Sequence, residues 1–294
     1  MANARQNMTL RFFGAGGAFS RRYGTTCSMI TLSDGDRWLI DCGRQAPDQI
    51  HDAGMCWHDF VGQIITHVHG DHVFGLEDFA FQRFFFSQGE IVATYEGGPR
   101  PKMIAHSAVV EEIWETMAPS LRYLRNADGS LANGTLSTYF EMIDRCGAEP
   151  PRDNPWRHSE SFESGLMRVT ARENEHVPGK PSCSLEIGVG DGDEPKDGRI
   201  AWWSGDSTVD PELLTALEPR TSLFFHDSTF VDYPGQVHGF FALLERLPEA
   251  VRKKMILMHH EDDIEDHRAR CERSGFRLAL PGHVYDLITG KRIA

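Results

Sequence analysis

The stretch Gln63-Ile64-Ile65-Thr66-His67-Val68-His69-Gly70-Asp71-His72 decides how this 294-residue chain is read. Its first four residues make a short buried strand, and four metal-ligand types follow within six positions. His67 and His69 stand one residue apart just past that strand, so their rings can project the same way. Gly70 allows a sharp turn, after which Asp71 and His72 can aim at a second metal beside the first. Imidazole with carboxylate is the donor set of catalytic zinc, and also of iron or manganese. A lone histidine pair carries little information, but this full pattern at the end of an apolar strand is specific.

One motif of four ligands cannot complete two metal sites, so further donors are expected downstream. His176 lies in Glu175-His176-Val177-Pro178-Gly179, Asp206 in Trp203-Ser204-Gly205-Asp206-Ser207, and His259 directly after Met255-Ile256-Leu257-Met258. Each is a ligand type near the end of a candidate strand, where an open α/β scaffold places its site.

Around these positions the chain alternates short strands and helices. Residues 10–13 read as a strand running into Gly14-Ala15-Gly16-Gly17, and residues 27–32 and 37–40 as a hairpin about Ser33-Asp34-Gly35-Asp36. Residues 166–171, 182–189, 199–203, 222–225 and 255–258 are further strands. Helices fit residues 46–53, 107–117, 211–217, 239–247 and 264–274. The polar segment 126–164, with Pro150, Pro151 and Pro155, reads as an insertion or long loop within a single domain. The alternation suits a layered α/β architecture with sheets inside and helices outside. Phe79, Phe81, Phe84, Phe85, Phe86, Trp202 and Trp203 read as core, and are also the sequence's candidates for stacking a base.

Composition narrows the function. The formal net charge is −13, which repels polyanions at long range and counts against a broad nucleic-acid surface. A small phosphate-bearing substrate remains compatible, because bound metals invert the local field. No apolar run approaches the roughly 20 residues needed to cross a bilayer. The polar residues 1–8 do not form a secretory signal, so a cytoplasmic protein is expected. Six dispersed cysteines, with no CxxC pair, read as reduced and mostly buried thiols.

These motifs resemble those of the metallo-β-lactamase superfamily, and within it the ribonuclease Z group with its small cyclic-nucleotide phosphodiesterases. The superfamily's strand-terminal aspartate motif matches Leu39-Ile40-Asp41-Cys42-Gly43, and its HxHxDH signature matches His67 to His72. Its later single histidine, Gly-Asp-Ser/Thr aspartate and final Leu-x-His match His176, Asp206 and His259. The group's His-Glu-Ala-Thr-Phe corresponds to His226-Asp227-Ser228-Thr229-Phe230, and a further histidine about one helix before the last ligand matches His238. The resemblance spans residues 10–260.

The resemblance implies an α/β, four-layer αββα sandwich with its site at one edge, between two sheets. It implies two divalent metal ions, Zn2+ in first place with Mn2+ or Fe as alternatives. His67, His69 and His176 would hold one metal and Asp71, His72 and His259 the other, with Asp206 bridging. His260 rivals His259, because neighbours on a strand face opposite ways. Asp41 would orient ligands without binding metal. Asp71 would also guide the proton of the attacking water, and His238 would serve as general acid for the leaving oxygen or as a clamp on the phosphate. His226 would orient His238 or pack in the core. A homodimer is carried over from the same resemblance.

Two departures bear on substrate. No basic, Gly- and Pro-rich arm for gripping tRNA is present, since Glu96-Gly97-Gly98-Pro99-Arg100-Pro101-Lys102 is too short, and the loop after the first strand reads Ser20-Arg21-Arg22-Tyr23-Gly24-Thr25. The expectation is a phosphodiesterase that acts on a small phosphodiester such as a cyclic nucleotide. The alternatives are a tRNA 3'-end processing endonuclease, a hydrolase of a lactone, thioester or sulfate ester, and a non-catalytic binding module with the same fold.

Overall fold

A computed structural model of the chain describes residues 7–87, 90–91, 99–126, 128–149, 158–189 and 199–294. Two sheets, each of eight strands among the described residues, dominate it. The first runs edge to edge through Glu141–Met142, Lys102–Ala105, Gly62–Ile65, Arg37–Ile40, Cys27–Thr31, Thr9–Gly14, Val284–Asp286 and Lys291–Arg292. The second runs through Arg145–Glu149, Ser159–Ser164, Met167–Glu173, Cys183–Val189, Ile200–Trp203, Thr221–Asp227, Met255–Met258 and Arg277–Leu278.

Each sheet is antiparallel in one half and parallel in the other. In the first, Arg37–Ile40, Gly62–Ile65, Lys102–Ala105 and Glu141–Met142 are mutually parallel. In the second, Ile200–Trp203, Thr221–Asp227, Met255–Met258 and Arg277–Leu278 are. The parallel strands read as continuous apolar runs because both of their faces are covered. Gly62–Ile65, Ile200–Trp203 and Met255–Met258 are buried at every position.

The period-2 alternation of a strand assigns neighbouring aromatics to different layers. Trp203 and Phe225 face the first sheet and meet Phe12 at ring-centroid distances of 5.7 Å each. Tyr285 closes on Phe225 from the first sheet at 5.5 Å. Trp202 and Phe224 point to the opposite face, into a second core with Leu214, Phe241, Leu244 and Cys271 from the covering helices. The helices Leu76–Phe85 and Ser107–Leu121 cover the first sheet. The layers are therefore αββα, as the resemblance implies. Fully burying a side chain of this size contributes roughly 1.5–3 kcal/mol, so the inter-sheet aromatics are a main source of cohesion.

Phe79, Phe84, Trp202 and Trp203 are buried, and Phe81 and Phe85 pack against the core. The four buried rings form structure and are not free to stack a base, while Phe81, Phe85 and Phe86 are half-buried. Within 126–164 the described residues form the strand Leu131–Asn133, the helix Leu136–Tyr139, the edge strands Glu141–Met142 and Arg145–Glu149, and the strand Ser159–Ser164. This segment passes from the edge of one sheet to the edge of the other. Residues 127 and 150–157 lie outside the described residues, as do 96–98 of the short Gly-Pro segment. No helix among the described residues is long and apolar enough to cross a membrane.

Candidate metal centre

The polar residues singled out from the sequence leave the carboxyl ends of the parallel strands. Asp41 follows Arg37–Ile40, His67 follows Gly62–Ile65, Asp206 follows Ile200–Trp203 and His259 follows Met255–Met258. The two sheets open toward the same edge, so these ends converge, as open α/β sheets commonly arrange. His69 caps the short helix Gly70–Val73, which carries Asp71 and His72. His176 arrives from the turn after Met167–Glu173.

Two groups of donors result. His67, His69, His176 and Asp206 place ligand atoms within 4.8 Å of one another, and so do Asp71, His72, Asp206 and His259. Asp206 belongs to both. In the first group His67 Nε2 lies 3.1 Å and His176 Nε2 3.2 Å from His69 Nδ1. In the second, His259 Nε2 lies 3.2 Å from Asp71 and 3.3 Å from Asp206. His72 Nε2 stands 3.3 Å from each of the same two carboxylates.

The opposite ring nitrogens make hydrogen bonds that fix how the rings are turned. His72 Nδ1 donates to Asp41 at 2.8 Å. His176 Nδ1 donates to the Val237 carbonyl at 2.9 Å. His67 Nδ1 is 3.1 Å from Thr66 Oγ1, whose own proton goes to Asp41 at 2.9 Å. With the Nδ1 protons used in this way, the Nε2 atoms of His67 and His176 direct lone pairs at each other and at His69 Nδ1. A proton on His69 Nδ1 can serve only one of the two, whereas a cation between the three nitrogens satisfies all of them. Buried His72 Nε2 and Asp206 Oδ1 likewise have no hydrogen-bond partner. Orphaned buried polar atoms are costly, and a metal ion satisfies them. The donor set fits two divalent ions.

Asp41 organises the second layer. Its carboxylate accepts from the Thr66 amide at 2.9 Å, from the Thr66 hydroxyl and from His72. It thereby orients His72 directly and His67 through Thr66, in the manner of the carboxylates that orient metal-ligating histidines. Thr66 was not singled out from the sequence, because nothing local marks a threonine as a relay. Close packing supports the arrangement: a Cβ on Gly43 would stand 1.8 Å from the Asp71 carbonyl oxygen. Any side chain there would push Asp71 out of place.

Electrostatics divide the two groups. Burial holds the His67 and His176 imidazoles below their usual range and lowers His69 to about 4, which favours the neutral rings. Burial pushes the Asp71 carboxyl up, but His72 and His259 more than offset that and hold it below the usual carboxylate range. Burial likewise works against charge on His72 and His259, and is overcome by Asp206 and Asp71.

His238 stands beside the second group. Its Nδ1 donates to Asp227 at 2.8 Å, and its ring is 5.2 Å from those of His176 and His259. Burial pulls its pKa down, but Asp227 overrides this and lifts it to about 9. His226 does not reach His238. Its Nδ1 is 3.1 Å from the Asp227 carboxylate and its ring packs on Trp202 at 5.4 Å. The residue that orients His238 is therefore Asp227, part of the quoted His226-Asp227-Ser228-Thr229-Phe230 motif but given no role from sequence. The signal was a carboxylate at the end of a parallel strand.

His260 turns away from the cluster. Its Nε2 donates to the Ala279 carbonyl at 3.0 Å and its ring meets Tyr23 edge-on at 5.0 Å. His259 is the residue that faces the donors. Strand alternation is not the reason, since the strand ends at Met258 and His259 turns the chain with φ 55°.

Residues 8–285 match the family model described as anti-Pycsar protein Apyc1. This chain belongs to the Apyc1 family. It is 30% identical over 286 residues to anti-Pycsar protein Apyc1 of Bacillus phage BSP38, covering 95% of this chain and 98% of that one. It is 31% identical over 271 residues to the Apyc1 protein of Paenibacillus sp. (strain J14), covering 92% and 96%. Among solved structures it is similar to the metallo-β-lactamase fold protein YhfI from Bacillus subtilis, with TM-score 0.65, 15% identity and coverage of 95% and 99%. It is also similar to the short form of human tRNase Z, with TM-score 0.62, 19% identity and coverage of 95% and 99%. The Apyc1 family chain thus has the metallo-β-lactamase fold.

Proposed function

We propose that this protein is a dinuclear metal-dependent phosphodiesterase whose substrate is a small phosphodiester, a cyclic nucleotide. The observation that carries this reading is Asp206, one buried carboxylate shared by two complete ligand groups. In this reading His67, His69 and His176 would hold one metal and Asp71, His72 and His259 the other, with Asp206 available to both. Two adjacent divalent ions supply an activated water nucleophile and neutralise the phosphoryl oxygens. The anti-Pycsar name of the family supports a cyclic nucleotide as substrate. A net charge of −13 disfavours a polynucleotide.

The chain's own groups handle the protons. Asp71 would orient the attacking water by accepting its hydrogen bond. His238 holds a proton on Nε2, keeps its orientation through Asp227, and is one-quarter exposed toward the substrate side. It is placed to protonate the leaving oxygen. Asp41 and Thr66 keep the ligand rings aimed.

The test is hydrolysis of bis(p-nitrophenyl) phosphate by protein stripped of metal and reloaded with zinc or manganese, beside a His67→Ala control. Activity is expected to return with metal and to be absent from the variant. A protein that binds two metals and cleaves carboxylic or sulfate esters, but no phosphodiester, would overturn the proposal.

A further inference from the structure

Neither ligand group contains a lysine or arginine, and the chain carries a net charge of −13. A phosphodiester anion therefore approaches against the field of the whole protein. Lys180 is a cation built in beside the first group. It lies in the turn between His176 and Ser182, and both ends of that turn are clipped to the ligands. His176 Nε2 stands 3.2 Å from His69 Nδ1. Ser182 makes a backbone bridge with His67, and the Cys183 amide donates to the Thr66 carbonyl at 3.0 Å. Between these anchors the Lys180 amide donates to the Val177 carbonyl at 3.0 Å, and Gly179 turns the chain with φ 81°. Val177, Pro178 and Gly179 are exposed, yet the Lys180 side chain is only 21% exposed. It folds back so that Nζ meets Glu112, on the helix Ser107–Leu121, at 3.0 Å. Its charge reaches His69, adding to burial and His176 in lowering that imidazole.

A lysine on an exposed turn ordinarily extends into water, where its side chain keeps its entropy. Holding it inward for one half-exposed ion pair adds little to stability. The pair is better explained as a store of positive charge that an anion can claim. Glu112 is 29% exposed, so solvent can take over its carboxylate when the ammonium leaves. The flexible four-carbon stem is then free to swing from the helix toward the ligands. We infer that Lys180 grips the phosphate group of the substrate at the rim of the His67, His69 and His176 side, and that Glu112 competes for it. This rests on the phosphodiesterase reading and adds to it an anion contact made by the chain itself. The same contact serves the phosphomonoester product, which carries a second negative charge, so affinity for phosphate reports it without turnover.

The experiment measures hydrolysis of adenosine 3',5'-cyclic phosphate, and binding of inorganic phosphate by calorimetry. The proteins are metal-loaded wild type, Lys180→Gln, Lys180→Arg and Glu112→Gln, with metal content determined for each. Both glutamine variants break the same ion pair, but they are expected to act in opposite directions. Lys180→Gln should raise KM and the phosphate Kd about tenfold, as loss of a hydrogen bond to a charged group does. Its kcat/KM should fall less steeply with salt than that of wild type. Glu112→Gln should lower both constants by up to about fivefold, because the ammonium is released from a half-exposed pair. Lys180→Arg should keep most of the wild-type affinity. Losses of the same sign in both glutamine variants, or a loss of bound metal from Lys180→Gln, assign the pair to support of the turn and overturn the inference. Unchanged constants overturn it too. Wild type that leaves the cyclic nucleotide intact defeats the phosphodiesterase reading, and the phosphate titrations then decide the Lys180 contact by the same opposite signs.

Discussion

Asp41 and His259 are the non-glycine residues with positive φ among the described ones, at 57° and 55°. That region is costly for a side chain with a Cβ, and it persists where the surroundings over-determine it. Both positions serve the candidate centre: one aims His72, the other supplies a donor to the second group. At the same scale, Asp227 holds His238 and keeps it protonated near neutrality. His238→Ala is expected to lower kcat about 10²–10⁴-fold on a substrate with an alkoxide leaving group. On bis(p-nitrophenyl) phosphate, whose leaving group needs no proton, the loss should stay under about tenfold. Equal losses on both substrates would falsify the acid role and leave His238 as a phosphate clamp. His67, His69, Asp71 and His72 were legible in sequence because one short motif holds them all. The selection of His259 over His260 was not, because it depends on a single backbone dihedral.

Elements bring these residues together by ending in the right place. A parallel strand delivers its next residue to one edge of its sheet, and both sheets deliver to the same edge. A second contact between layers is made by Glu160, from the strand Ser159–Ser164. It is buried, and accepts from the amide and hydroxyl of Ser107 at 2.7 Å each and from Arg145 at 3.1 Å. It thus joins the second sheet to the N-terminus of the helix Ser107–Leu121, where a negative charge is favoured. Burial pushes this carboxyl up, but the Ser107 bonds outweigh it and hold it below the usual range. A carboxyl with a depressed folded-state pKa contributes stability that is present above its unfolded pKa, and lost as pH falls through the folded one. Glu160→Gln should therefore lower Tm at pH 7, and the deficit should shrink as pH falls below the ordinary glutamate range. A deficit that is constant with pH would show the contact to be steric.

The whole molecule is a sandwich whose open edge the metals would bridge. His67, His69, Asp71 and His72 come from the first sheet's side, and His176, Asp206 and His259 from the second's. Ions bound there link the two halves, so metal is expected to add to stability by mass action. At free metal about 100 times Kd, one site contributes about 2.7 kcal/mol. For a chain of this size that raises Tm by roughly 4 °C per site over stripped protein. Calorimetry with and without chelator, on wild type and Asp206→Asn, checks this. Wild type should show the gain, and the variant, which lacks the shared carboxylate, most of its loss.

Donor types, the strands that lead to the site and the layered α/β class were written in the local pattern of Gln63 to His72 and in the apolar runs before Asp41, Asp206 and His259, whereas the strands Lys102–Ala105, Ser159–Ser164 and Val284–Asp286 were not read from the sequence. Periodicity and donor type are properties of neighbouring residues, so sequence carries them. It could not distinguish Trp202 from Trp203, since that depends on which face of a strand meets which layer. The roles of Thr66 and Asp227 were hidden for the same reason: Thr66 meets Asp41 only once their two strands pair side by side, and Asp227 meets His238 only once the loop after its strand folds back. Tertiary packing also decided which aromatics after the histidine motif are core: Phe79 and Phe84 are buried and Phe74 is exposed.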